Sequence, residues 1–245
     1  MSAVLGDESI DIALCIGDLP QRHADRDVAV TLGVLVRRDG TAAPPVEDPP
    51  PAFRRLGSVK GARFFDDVYA ANGSGRILLV DDLFTRQVAG LLGTPSAWLQ
   101  PVLMMARNRK MLSPEQYAAA ITDLADMGQE FISVDPPTLA LSRKLDRDSG
   151  EEGIGRRFKA ATKVLGGKRA DPGSHCSVAA AFLDPLWSSN HLQPGDRQAT
   201  SHLLRELLKG REDYQAILDA LDQRLVHRST LRVYLRQWAS GHFLR

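Results

Sequence analysis

The sequence predicts an α/β fold, a parallel-sheet core flanked by helices and followed by a small all-α C-terminal domain. Two observations predict it. Arg76-Ile77-Leu78-Leu79-Val80-Asp81-Asp82 sets an apolar run rich in β-formers directly before two carboxylates, and an amphipathic helix pattern follows at once. An unbroken apolar run suits a parallel strand whose two faces are both covered by helices. After His175 the apolar residues recur instead at helical spacing, as in Leu203, Leu204, Leu207 and Leu208. That spacing suits a small bundle.

The 245 residues suffice for one large domain or two modest ones. A formal net charge of +1 gives no global attraction to nucleic acid or to anionic membranes, so any such contact must rest on a local patch. Cys15 and Cys176 lie far apart, without metal spacing, and reduced thiols in a cytosol are the expectation. No run reaches the length of a membrane span, and the start lacks a basic segment followed by a long apolar core. The chain therefore reads as soluble and cytoplasmic, with no membrane partner.

Residues 1–60 form an irregular, partly β region. Ile10 to Ile16 and Val28 to Val36 each suit a strand, Arg37-Arg38-Asp39-Gly40 supplies a turn, and the prolines at 44, 45, 49, 50 and 51 mark an extended linker. Residues 61–141 read as a compact α/β core. Phe64 to Ala71 is a short helix stopped by Asn72-Gly73-Ser74-Gly75. The Asp81-Asp82 strand follows, then a helix from Leu83 to Leu92 ended by Gly93, and another from Ala97 to Arg107 that tolerates Pro101 near its start. Ser113-Pro114-Glu115-Gln116 joins an N-cap serine, a proline at the first helical position and a glutamine in the capping-box place. The helix it opens carries Tyr117, Ala120, Ile121, Leu124 and Met127 and stops at Gly128. Phe131 to Val134 reads as a last strand, closed by Pro136-Pro137. Residues 142–174, dense in charge and glycine, read as a mobile linker. Residues 175–245 make the helical domain, its last helix capped by Ser229-Thr230 and carrying Leu231, Tyr234, Leu235 and Trp238.

Asp81 and Asp82 stand at the carboxyl end of their strand, where open α/β sheets place ligands. Mg²⁺ or Mn²⁺ takes oxygen ligands and keeps several waters beside one or two carboxylates, so the pair suits a hard cation. Successive strand residues face opposite ways, which favours one direct ligand. Taken alone, the pair fits better as an N-cap and a first-turn acid of the following helix. Asp66 and Asp67, at the start of the preceding helix, raise the acid count around this strand beyond what caps require.

Here the chain resembles a known family. Arg76 to Val134, about a quarter of the chain, is similar to the second half of a PIN-like domain, the metal-dependent ribonuclease fold of many bacterial toxins. The resemblance lies in the strand ending on Asp81-Asp82, then Leu83-Phe84-Thr85-Arg86-Gln87-Val88-Ala89 and Leu92-Gly93. It continues through Trp98 to Ala106, Leu112-Ser113 with its long helix, and Gly128-Gln129-Glu130-Phe131-Ile132-Ser133. It implies that acids from separate elements hold one or two divalent ions against an RNA phosphodiester. The late strand-end acid matches Asp81 or Asp82, and the acid on the preceding helix matches Asp66 or Asp67. The family's first-strand aspartate has Asp18 as its nearby candidate, but no helix pattern follows it.

The implied activity is RNA hydrolysis, with Asp81 and Asp82 in catalysis and Asp66, Asp67, Asp81 and Asp82 around Mg²⁺ or Mn²⁺. The rival is a PIN-like scaffold without catalysis, whose helical tail binds a protein partner; assembly into a homo-oligomer stays open. Arg-Ile-Leu-Leu-Val-Asp-Asp also resembles the opening of a receiver domain, with Asp135 in the phosphoacceptor's place, but Pro136-Pro137 stands where further strands should follow. Arg224, Arg228, Arg232 and Arg236 recur every fourth position, yet Ser229-Thr230 interrupts that stripe, which favours a solvated face. The basic cluster from Arg156 to Arg169 offers a surface to steer RNA. Trp98, Trp187 and Trp238 read as core, and His175-Cys176 lacks a partner pair at zinc spacing.

Overall fold

A computed structural model describes residues 12–14, 66–72, 77–129, 131–151, 154–166, 171–188 and 192–242. These residues are mostly helical, with a small parallel sheet, and the chain divides into two compact units between Met105 and Ala106. The expected strand at 28–36, the proline-rich linker and Asp18 lie outside the described residues, as do the side chains of Asp66 and Asp67.

In unit 1, β1 (Ile12–Leu14), β2 (Ile77–Leu79) and β3 (Ser96–Ala97) form a parallel sheet with β2 in the middle. Ile12 pairs with Ile77 on one side, and Leu78 with Ser96 on the other. Helix α1 (Asp66–Ala71) precedes β2, and α2 (Leu83–Leu91) follows it. Consecutive Leu78 and Leu79 point to opposite faces, yet both are buried, so each face of the central strand is covered. Leu78 packs with Val68 and Ala71 of α1 and with Val88 and Ala89 of α2.

Gly93 ends α2 with a φ of +70°, the Thr94 amide donating to Ala89 O at 2.9 Å and the Gly93 amide to Gly90 O at 3.1 Å. These are the two bonds of a Schellman motif, which needs a residue at ease in the left-handed region. The helix expected from Ala97 begins later, as α3 (Leu99–Asn108). Proline keeps Thr94 extended, and the amides of Leu78 and Val80 then donate to Pro95 O and Ala97 O, which draws residues 96–97 into the sheet.

In unit 2, α4 (Pro114–Asp126) opens on the complete capping box: Ser113 Oγ accepts from the Gln116 amide at 3.1 Å and Gln116 Oε1 from the Ser113 amide at 2.8 Å. Gly128, φ +78°, closes it with a second Schellman pair. The expected strand at 131–134 is not formed. Phe131 takes a φ of +61° in a turn, and residues 132–134, in no strand or helix, lead to Asp135, the extended N-cap of α5 (Pro136–Asp148).

Residues 142–174 are not simply a linker. They hold the end of α5 and α6 (Arg156–Leu165), followed by α7 (Pro172–Leu186), and part of their charge points inward. Arg143 and Asp146 are 5% and 3% exposed, while Phe158 is fully buried. The remaining helices are α8 (Asp196–Leu208), α9 (Tyr214–Arg224) and α10 (Ser229–Gly241). Helix α6 packs on α4, α5 and α8, and α7 packs on α5, α8 and α9, so 175–245 is not a separate bundle. Nor do Ser229-Thr230 cap α10: its N-cap is Arg228, which makes no capping side-chain bond. Among the described residues no helix is long and apolar enough to cross a membrane.

Asp146 caps α6, accepting from the amides of Arg157 and Phe158 at 3.0 and 2.9 Å. The N-cap itself is Gly155, where a Cβ would lie 2.3 Å from Asp146 Cγ. Gly155→Ala should therefore cost about 2–4 kcal/mol in urea unfolding, from overpacking plus a damaged cap. In a double-mutant cycle with Asp146→Ala the two losses should fall short of additive, because the added methyl collides with the carboxylate that the second change removes.

Burial lowers the pKa of His202 on α8, with Glu206 opposing, and that of His175 on α7, where the Leu165 carbonyl opposes. As pH falls through about 6.5, the unfolded chain takes up protons before these buried rings do, so stability declines until the folded histidines also protonate. Urea midpoints should fall between about pH 7 and pH 5, and His202→Gln should make that decline shallower.

Candidate functional site

Asp81 and Asp82 follow β2 and stand where the chain turns into α2. Adjacency gives them different partners. Asp82, exposed, is the N-cap of α2: its Oδ2 accepts from the Thr85 amide and the Thr85 hydroxyl, both at 2.6 Å. Partial burial acts to raise its pKa, but the Thr85 hydroxyl and amide, the Phe84 amide and the Arg86 charge outweigh it and hold the carboxyl below its ordinary value. Asp81, half-buried, reaches across to α3, where Oδ1 accepts from the Leu99 amide at 2.9 Å. That amide is the first of α3 and has no intrahelical partner of its own. The two carboxylates thus fasten the starts of two helices.

Asp66 and Asp67 begin α1, whose Val68 packs against β2, but their side chains lie outside the described residues. Among the described residues, no three His, Cys, Asp or Glu side chains gather as a metal-binding group. One carboxylate with water suffices as the protein's share of a hard-cation shell, and Asp81, engaged through Oδ1 by a single amide, fits that role. Asp82 fits it less well, since Thr85 already engages its Oδ2 twice.

Two further residues belong to this corner of unit 1. The Arg86 guanidinium carbon lies 4.6 Å from the centroid of the Trp98 ring. Trp98 directly precedes Leu99, so the pair adjoins the Asp81 anchor. Sequence reasoning placed Trp98 in the core; it is half-buried, with an arginine against its face. The overlooked signal was a cation in the first turn of a helix, where the macrodipole disfavours it.

The other candidates have structural partners. Asp135 is the N-cap of α5, accepting from the Thr138 amide at 2.8 Å, and stands 3.6 Å from Arg107. Burial raises the Cys176 thiol, and its Sγ lies 3.7 Å from Ile217 O. The arginine stripe is mostly paired rather than merely solvated. Arg228 holds Asp184 at 2.6 and 3.2 Å, Arg232 holds Asp222 at 2.8 and 2.6 Å, and Arg236 approaches Asp222 at 3.6 Å. Of the basic cluster, Arg156 meets Asp126 at 2.8 Å and Arg157 meets Asp123 at 2.9 Å. Trp187 and Trp238 are buried, donating to Thr200 Oγ1 and Ser201 Oγ. An open cleft of about 470 Å³ in unit 2, lined by residues including Trp187, Arg197, Thr230 and Tyr234, has no acid among its described lining residues.

Comparisons with protein families, with curated proteins and with solved structures return no match. The capping role of Asp82 is directly measurable. Asp82→Ala should destabilise unit 1 by about 1 kcal/mol, followed by chemical denaturation, whereas Asp82→Asn should retain much of the cap.

Proposed function

We propose that Asp81 is the cation-facing acid of a PIN-like, Mg²⁺- or Mn²⁺-dependent ribonuclease site. The observation that supports this best is its place: half-buried, at the carboxyl end of the central parallel strand, with Oδ1 held by the Leu99 amide. A carboxylate oriented by a backbone donor is preorganised to receive an ion. The resemblance of residues 76–134 supplies the reaction class, and Asp66 or Asp67 would complete the acidic set. The bound ion would polarise the scissile phosphate and lower the pKa of an attacking water. Asp82 is assigned to holding α2, not to the ion.

A second reading has its own support. Both acids secure helix starts, Asp82 at α2 and Asp81 at α3, a structural role that suits a PIN-like scaffold without catalysis that works through a protein partner. Metal titration against a broad panel of labelled RNAs separates the two readings. Cleavage should require Mg²⁺ or Mn²⁺ and should drop by at least about a hundredfold in Asp81→Asn. Asp82→Asn should keep most of the activity, since asparagine retains much of the cap. Metal-independent cleavage, or full activity in Asp81→Asn, removes the assignment, and no cleavage by the wild type favours the scaffold.

A further inference from the structure

Helix α10 has two faces. Leu231, Leu235 and Trp238 are buried, whereas Thr230, Val233, Tyr234 and Gln237, at i, i+3, i+4 and i+7, line the open cleft of about 470 Å³. Small-molecule sites span roughly 300–1,000 Å³, so the cleft is of ligand size. Its aromatic wall is fixed. The Trp187 and Tyr234 rings lie 4.9 Å apart at 43°, and the polar end of each is engaged. Trp187 Nε1 donates to Thr200 Oγ1 at 3.0 Å, and the Tyr234 hydroxyl to Arg197 O at 3.1 Å. The remaining polar side chains of the lining are different. Among the described residues, those of Arg197, Ser229, Thr230 and Gln237 have no hydrogen-bond or ion-pair partner. Arg228 and Arg232 at the start of α10 each hold a carboxylate, but the exposed Arg197 of α8 holds none.

The electrostatics agree with this. Burial pushes the Tyr234 phenol up, and the charges of Arg197 and Arg205 act against it, so two cations bear on this wall. The first turn of α10 contains no acid that would compete for them. A guanidinium and hydroxyl donors without internal partners suit the terminal oxygens of a phosphate, which is recognised by charged and neutral donors together. A phosphate monoester carries about −1.5 to −2 at neutral pH, a better match to two arginines than the single charge of a carboxylate. The exposed Val233 and the Tyr234 ring offer apolar surface for whatever the phosphate is attached to. We infer that this cleft binds a small phosphate monoester with an aromatic body, Arg197 meeting the phosphate and Val233 and Tyr234 the ring. The lining residues all belong to unit 2, so binding here requires nothing of the strand-end acids in unit 1.

The test is titration calorimetry of the full chain at physiological salt with phenyl phosphate, and with inorganic phosphate and benzoate for comparison. The wild type should bind phenyl phosphate saturably at one site. It should bind inorganic phosphate, which lacks the ring, and benzoate, which lacks the second charge, several-fold more weakly. Arg197→Gln should weaken phenyl phosphate binding about tenfold or more, since a charge-assisted bond is lost. Val233→Asp should weaken it at least as much, by setting a like charge in the cleft. Both positions are exposed, so both variants should fold, which urea unfolding checks; if Arg197→Gln does not fold, Val233→Asp decides. No saturable binding by the wild type overturns the proposal, and so does unchanged affinity in a folded variant. Equal or tighter binding of inorganic phosphate or of benzoate overturns it as well.

Discussion

The carboxylate of Asp146 on α5 accepts the first amides of α6, and three residues earlier on the same helix Arg143 reaches Asp196 of α8 at 2.6 Å. Positions three apart share a helix face, so α5 turns one anion and one cation inward together. The Arg143–Asp196 contact is short but off the axis of a hydrogen bond, an ion pair held by charge more than by alignment. Taking two ions out of water costs several kcal/mol each, and their attraction only about repays it. The pair is therefore better understood as fixing an arrangement than as adding stability. Leaving one partner alone would bury an uncompensated charge, so α5, α6 and α8 have one mutual placement that satisfies both acids and the arginine. The rest of unit 2 packs apolar side chains around that placement.

The same polar contacts explain what the amino-acid sequence could and could not reveal. Ser113 to Gln116, Gly93 and Gly128 act through bonds to residues within a turn of themselves, and their spelling carried their geometry. The run Ile77 to Leu79 was legible for a related reason, since only a strand covered on both faces tolerates so continuous an apolar stretch. Residues 142–165 misled because composition records charge but not direction. Arg143, Asp146 and Arg157 count as linker charges until their partners, Asp196, the α6 amides and Asp123, are known, and those partners are distant or set by the fold. Phe131 to Val134 misled differently: β-formers make a strand only beside another strand, and here they lead to a helix cap.

The arginines near the C-terminus extend this point to function. A four-residue period suggests a phosphate-binding face, but α9 and α10 divide it, and Asp184 and Asp222 each take more than one basic partner. The pKa of each of these acids is lowered chiefly by its arginine bond, against partial burial. Charges already shared with carboxylates release fewer counterions on meeting RNA, so this surface offers a polyanion less than its arginine count suggests.

At the strand end the constraint is adjacency. Two consecutive acids at the end of a strand cannot present both carboxylates to one point unless the chain bends, and here it turns into α2 directly after them. Asp82 follows the turn and caps the helix it begins; Asp81 is left facing the next helix start, at Leu99. The sequence showed the pair but not this division, because Leu99 is eighteen residues away and only the β2–β3 pairing brings it within reach. The pairing also sets Trp98 beside Arg86. A single sheet contact thus orients the candidate acid and sets the Arg86–Trp98 contact together, so loosening β3 would disturb both at once.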